Sequence, residues 1–129
     1  YKKQGYRGAD RQGAAELVWK PLSDDARPPR WSPPKPVAEA SPGRVGVTAY
    51  QSGWCPAINL VCERAERVAG EFGDAVEFTK IDTSEHETAV ACGHCDAVFL
   101  DGRPLQRGAP PSTESIRRRM QRRVKRLRH

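Results

Sequence analysis

The four cysteines are the residues of this 129-residue sequence that are best suited to chemistry. Cys55 stands between Trp54 and Pro56, where a predicted strand gives way to a predicted helix. Proline suits the first position of a helix, so Cys55 is expected to cap it. Unpaired backbone N–H groups and the helix dipole stabilise an anion at such a position, which lowers the pKa of a thiol. Cys55 is therefore a candidate redox thiol.

Cys62 is not expected to be the redox partner of Cys55. A CxxC turn would need its second cysteine at position 58, which is Ile58. Cys62 is seven residues further along the predicted helix, a rise of about 10 Å, whereas bridged cysteines have Cα atoms within about 7 Å. It shares a helical face with apolar residues, so we predict a packed core cysteine.

The elements that must position these thiols are predicted from residue 44 onwards. Hydrophobic periodicity and turn residues favour the order β-α-β-α-β-β-α. The strands are predicted at 45–50, 76–81, 97–100 and near 104–105, and the helices at 56–72, 84–91 and 112–128. Ser84 is the expected cap of the second helix, and Asp101-Gly102 the expected hairpin turn.

This order, with Trp54-Cys55-Pro56 at the first strand-to-helix junction, resembles the thioredoxin fold over about residues 44–128. The resemblance implies an α/β domain with a mixed, four-stranded sheet between helices. It also implies that the loop before the third strand lies beside Cys55. In this alignment Asp96 takes the place where the family usually has a cis proline.

That loop contains Cys92-Gly93-His94-Cys95, the letters of the disulfide-isomerase active site. In that branch of the family the motif begins the first helix, whereas here it precedes a strand, so its function does not carry over. Cys55, Cys92 and Cys95, with His94, still form a candidate cluster. Three interpretations stay open: a disulfide relay, a zinc or soft-metal site, and structural thiols.

The start of the sequence has a different character. Seven of the eleven prolines fall between Pro21 and Pro42, which predicts an extended linker over residues 21–43. Before it, Tyr1-Lys2-Lys3-Gln4-Gly5-Tyr6 resembles the Y-x-x-x-G-[FY] segment that closes the last helix of GCN5-related N-acetyltransferases (GNAT), with residues 14–20 as the strand that follows. The order of this piece, a linker and a thioredoxin-like domain resembles that of the acetyltransferases that end in a YoaP-like domain.

The resemblance implies that residues 1–20 are the end of a GNAT-like domain and that the chain is part of a longer N-acetyltransferase. Its cofactor would be acetyl-CoA, its substrate an acceptor amine, and its partner the upstream acetyltransferase domain of the same polypeptide. Tyr1 matches the tyrosine that protonates the departing coenzyme A thiolate. A phenol with a pKa of about 10 holds its proton at neutral pH and suits that role. The alternative is that Tyr1 packs or frays at the terminus.

The acetyltransferase pyrophosphate loop, Q/R-x-x-G-x-G/A, occurs nowhere in these residues. Its backbone N–H groups face the cofactor at a helix start, so this chain alone is predicted to be inactive as an acetyltransferase. The alternative function is that of a thiol-disulfide oxidoreductase-like or metal-binding protein that uses Cys55, Cys92 and Cys95.

The positive charge lies at one end of the chain. Residues 114–129 contain eight Arg or Lys residues and one acidic residue, a net charge of +7, whereas the whole chain has +6. The segment Arg117–Arg128 is a candidate for nucleic acid or an acidic partner. We favour a helix with a solvated basic face, because its apolar stripe of Ile116, Met120, Val124 and Leu127 needs a partner inside the fold. No aromatic residue interrupts the basic run, which argues against binding of a single strand.

Size and composition limit the function classes. With 129 residues, 37% of them hydrophobic, the chain allows one small domain with extensions and excludes a two-domain enzyme with a large enclosed cleft. No run approaches the roughly 20 apolar residues that span a bilayer, and no signal peptide pattern is present. The expected location is cytoplasmic, with no membrane partner.

Overall fold

The computed structural model describes residues 1–33 and 35–129, which form a mixed α/β structure of two compact units. The first unit is Tyr1–Pro33 and the second is Pro34–His129. The predicted boundaries at 21 and 43 differ from this division. Proline density predicted one linker over 21–43, but its two halves belong to different units.

The first unit is a short helical turn followed by a hairpin. The 3-10 turn Lys2–Gln4 ends at Gly5, whose φ of 87° is the left-handed conformation that glycine adopts readily. Strand β1 (Arg7–Gln12) then pairs antiparallel with β2 (Ala15–Trp19). Strand β2 confirms the strand predicted at 14–20. Strand β1 was not predicted, because its sequence has no alternating apolar residues.

The second unit is built on a four-stranded mixed sheet in the order β4-β3-β5-β6. The strands are β3 (Val45–Gln51), β4 (Val76–Asp82), β5 (Ala97–Leu100) and β6 (Arg103–Pro104). Strand β3 is central, running parallel to β4 and antiparallel to β5. Asp101 and Gly102 both have positive φ, 47° and 76°, which is the backbone of the tight hairpin turn that the sequence predicts.

Three helices complete the second unit: α1 (Pro56–Glu71), α2 (His86–Cys92) and α3 (Thr113–Leu127). The predicted helices agree with these to within two residues at each end. The predicted cap of α2 was wrong, because the helix begins after Glu85. The backbone N–H of Ser84 instead donates to the Asp82 carboxylate at 2.9 Å, which closes a turn before the helix.

Helices α1 and α3 pack together on one face of the sheet. Ile116, Met120 and Val124 are buried there, as the periodicity of α3 predicts, whereas Leu127 at the end of the stripe is 51% exposed. The rest of the core comes from β3, β4, α1, β5 and the loop after β6: Val45, Val47, Ala49, Ile58, Val61, Cys62, Ala65, Val68, Ala69, Val76, Val98, Leu100 and Leu105.

A segment from the predicted linker lies against the other face of the sheet. We call residues 35–42 the strap. Alternate residues of β3 point towards it: the Thr48 hydroxyl donates to the Ala38 carbonyl at 3.3 Å, and the Ala38 N–H donates to the Tyr50 hydroxyl at 3.4 Å. A Cβ atom at Gly46 would lie 2.9 Å from that of Ala40, so glycine allows the close approach. The strap is therefore part of the second unit.

Candidate functional site

Cys55 caps the N-terminus of α1, as predicted. Its backbone is extended (φ −97°, ψ 106°), and Pro56 opens the helix. Its carbonyl accepts the Asn59 N–H at 2.9 Å. The thiol is half-buried against the core, and the preceding residue, Trp54, is 86% exposed. A cysteine with a large exposed aromatic neighbour thus stands beyond the carboxyl end of the central strand β3.

The turn before Cys55 is held by a side chain of α1. The Asn59 amide nitrogen donates to the Gly53 carbonyl at 3.0 Å, and its oxygen accepts from the Gln51 side chain at 2.8 Å. Gly53 has a φ of 93°, which disfavours any residue with a side chain. Asn59 was missed in the sequence; the available signal was a single polar residue in the otherwise apolar first two turns of the helix, residues 56–62.

Asp96 joins this turn to the loop before β5. Its carboxylate accepts both the backbone N–H and the hydroxyl of Ser52, at 3.1 and 2.9 Å. The Thr83 hydroxyl donates to the carbonyl of Cys95 from the end of β4. The loop that carries Cys95 therefore lies beside the turn that leads to Cys55.

The cysteines of the CxxC motif occupy different environments. Cys92 is the last residue of α2 and is half-buried, whereas Cys95 is exposed. The Cys95 thiol donates to the Asp96 carboxylate, with an S–O distance of 3.7 Å. All four cysteines of the chain are free thiols. A relay among them would start from the reduced state.

His94 faces the sheet and the strap. Its Nε2 is 2.7 Å from the Lys35 carbonyl oxygen, and its ring centroid is 4.8 Å from that of Tyr50 and 5.0 Å from that of Phe99. Across residues 1–33 and 35–129, no three or more His, Cys, Asp or Glu side chains are grouped to hold a metal ion. The imidazole that the sequence offers as a ligand thus takes part in an aromatic cluster.

Cys62 is a core cysteine, as predicted. It is 3% exposed and packs among the aliphatic residues of α1 and the sheet. Burial raises the pKa of its thiol to about 11, because the thiolate would lose its hydration. Cys62 is therefore a poor nucleophile at neutral pH.

Tyr1 lies at the surface of the first unit. Its side chain is 87% exposed, and its ring makes an edge contact with Tyr6 at a centroid distance of 6.0 Å. Its carbonyl accepts the Gln4 N–H at 3.0 Å, so the backbone of Tyr1 starts the helical turn while its hydroxyl faces solvent.

Part of the basic run on α3 has a structural role. The Arg117 guanidinium makes two 2.7 Å hydrogen bonds to the Glu71 carboxylate of α1 and also pairs with Glu114. These bonds lower the pKa of Glu71 and connect the two helices. Arg117 is thus committed to the packing of α3 on α1.

No protein-family model matches this sequence, and no curated protein is significantly similar to it. No helix in the described part of the chain has the length and apolar character needed to cross a bilayer.

Proposed function

We propose that this chain is the C-terminal part of a GCN5-related N-acetyltransferase, and that its second unit is a thioredoxin-like, YoaP-type accessory domain. The observation that carries the proposal is the first unit, in which the exposed Tyr1 begins a helical turn that leads into an antiparallel hairpin. None of its described residues is fully buried. A lone two-stranded hairpin is marginally stable, so these strands are well suited to extend a larger sheet.

The topology of the second unit supports the accessory-domain assignment. The element order is the predicted β-α-β-α-β-β-α. Its first two strands are parallel and its last two form an antiparallel hairpin on the other side of the first strand. The Trp54-Cys55-Pro56 turn stands where the resemblance places the thiol.

In the proposed reaction the acceptor amine attacks the thioester carbonyl of acetyl-CoA. The new C–N bond forms, the C–S bond breaks, and the coenzyme A sulfur leaves as a thiolate. Tyr1 gives its phenolic proton to that thiolate, and the proton that the acylated nitrogen loses passes through solvent to the phenolate and restores the phenol. Since the pyrophosphate loop is absent from this chain, the upstream domain would hold the cofactor and the isolated chain would be inactive.

The test uses the native polypeptide that contains this chain, with its intact mass measured first. We expect a mass larger by roughly one domain and acetyl-CoA-dependent acetylation of an amine. Tyr1→Phe should lower kcat about 100-fold, the usual contribution of a general acid. Tyr6→Phe is the matched control and should leave kcat within twofold. A native polypeptide without acetyl-CoA turnover would overturn the proposal.

The position of Cys55 supports a second candidate, a thiol exchange activity of the second unit. Cys55 caps α1 beside an exposed tryptophan, and the Asp96–Ser52 bonds bring the loop of Cys95 next to its turn. In exchange with a small disulfide, the Cys55 thiolate would attack one sulfur, form a mixed disulfide and release the other sulfur as a thiolate.

Variants of the reduced chain separate this candidate from the first. Cys55→Ser should abolish most exchange with a small aromatic disulfide at pH 7, whereas Cys62→Ala, which removes the buried thiol, should not change the rate. Exchange that survives in Cys55→Ser and is lost in Cys95→Ser would assign the reactive thiol to Cys95 and reject the role of Cys55.

A further inference from the structure

A groove on the second unit is lined by arginines from distant parts of the sequence. It has a volume of about 550 Å³ and lies between α3, the β5-β6 hairpin and the loop that follows. Six arginines line it: Arg103, Arg107, Arg119, Arg122, Arg123 and Arg126. No acidic residue of the described chain is among its lining residues. Positive charge is therefore concentrated in a concave site.

Two of these arginines are held by the fold. Arg119 donates to the Leu105 carbonyl at 2.6 Å, and Arg123 pairs with the Asp101 carboxylate at 3.3 Å. The same carboxylate accepts the Gly46 N–H at 2.8 Å, which anchors the pair to the sheet. The walls of the groove are thus tied to the core by hydrogen bonds.

The other four have no partner in the described chain. Arg103, Arg107, Arg122 and Arg126 are exposed, and none of them forms an ion pair or a side-chain hydrogen bond with a described residue. Four like charges around one groove repel each other unless an anion joins them. An anion with several charges would satisfy them together.

We propose that this groove binds a small polyphosphate. Guanidinium groups bind phosphate oxygens in a two-pronged geometry that a lysine cannot reproduce, and the unpartnered cations of this groove are all arginines. Its volume lies within the range of small-molecule sites, about 300–1,000 Å³. The proposal is independent of acetyl transfer and of thiol exchange.

The shape and composition favour a compact ligand over a nucleic acid. From Arg119 to Arg126 the helix face spans about 10 Å, which suits two or three linked phosphates. Among the described residues no aromatic side chain lines the groove, so these residues provide no surface on which the bases of a single strand would stack.

The test is calorimetric titration of the intact chain with inorganic tripolyphosphate at 150 mM salt. We expect saturable binding with one site per chain. Arg122→Gln with Arg126→Gln should weaken binding at least tenfold. Lys125→Gln with Arg128→Gln removes the same charge from the C-terminal end of α3 and its capping residue, outside the groove lining, and should weaken binding less than threefold.

Three results would overturn the proposal. They are the absence of saturable binding, equal weakening by the two pairs, and tighter binding of a 20-base-pair duplex than of tripolyphosphate. The last two would assign the arginines to a diffuse polyanion surface. If circular dichroism shows that the helix pair is misfolded, Arg103→Gln with Arg107→Gln on the opposite wall replaces it, with the same expected tenfold loss.

Discussion

Cys62 is buried, whereas the other three cysteines are half-buried or exposed, and its burial has consequences for pH dependence. The pKa of the buried Cys62 thiol is raised to about 11 from an ordinary value of 9.0, because the thiolate is poorly solvated in the core. A raised pKa in the folded state stabilises the fold below the unfolded pKa, and that stabilisation is lost as the pH rises through the folded value.

We therefore expect the free energy of unfolding to fall between pH 9 and 11 more steeply in the wild type than in Cys62→Ala. Urea unfolding at pH 8, 10 and 11 measures both chains. Cys62→Ala changes no other titratable residue, so the difference between the two chains isolates Cys62. Parallel curves would contradict the assigned pKa.

Asp96 is the second residue whose role is testable by itself. Its carboxylate takes two hydrogen bonds from Ser52, and bonds to a charged acceptor contribute about 2 kcal/mol. Because Asp96→Ala removes both bonds, it should lower the free energy of unfolding by about 2–4 kcal/mol. Ser52→Ala keeps the backbone N–H bond to Asp96 but loses the hydroxyl bond and the exposed 3.3 Å bond that the hydroxyl accepts from the Trp54 N–H, and it should cost less.

The double variant tests whether the two single variants lose stability through the same Ser52–Asp96 hydrogen bond or for separate reasons. Because the hydroxyl bond is shared by both single variants, Ser52→Ala combined with Asp96→Ala should be no less stable than Asp96→Ala alone, within about 0.5 kcal/mol. Additive losses in urea unfolding would show that the two side chains act separately.

At the scale of elements, the two serines near helix starts are not equivalent. The Ser112 hydroxyl accepts the Ser115 N–H at 3.1 Å and caps α3, whereas Ser84 stands before the capping residue of α2. Ser112→Ala should lower the free energy of unfolding by about 1 kcal/mol. Ser84→Ala should change it by less than about 0.5 kcal/mol. Equal losses in chemical unfolding would contradict this assignment.

At the scale of the whole molecule, the core lies entirely in the second unit. Every buried side chain of the described chain falls between Val45 and Val124. A chain of residues 34–129 should therefore unfold cooperatively with a midpoint within a few degrees of that of the full chain, as measured by circular dichroism.

A second truncated chain tests whether the strap stabilises the second unit. A chain of residues 44–129 starts at the boundary that the sequence predicts, and it lacks the hydrogen bonds of Ala38 to Thr48 and Tyr50 and that of Ser41 to Glu77. We expect it to lose about 2 kcal/mol of stability relative to residues 34–129. Equal midpoints of thermal unfolding for the two truncated chains would show that residues 35–42 are a linker that does not stabilise the second unit.

The sequence by itself determined the elements that depend on near neighbours. Apolar spacing marked α1 and α3, Pro56 marked the start of α1 with Cys55 as its cap, and Asp101-Gly102 marked the hairpin. These features follow from periodicity and backbone preference within a few residues. The burial of Cys62 followed from the same helical face.

Only the tertiary structure decided which distant residues meet. Proline density concealed the strap, because an extended segment reads as a linker until its hydrogen bonds to β3 are seen. His94 reads as a metal ligand beside two cysteines, yet it packs on Tyr50 and Phe99. The arginine groove joins α3 to Arg103 and Arg107, which lie outside the basic run. Such contacts depend on chain reversal and packing, which local patterns do not encode.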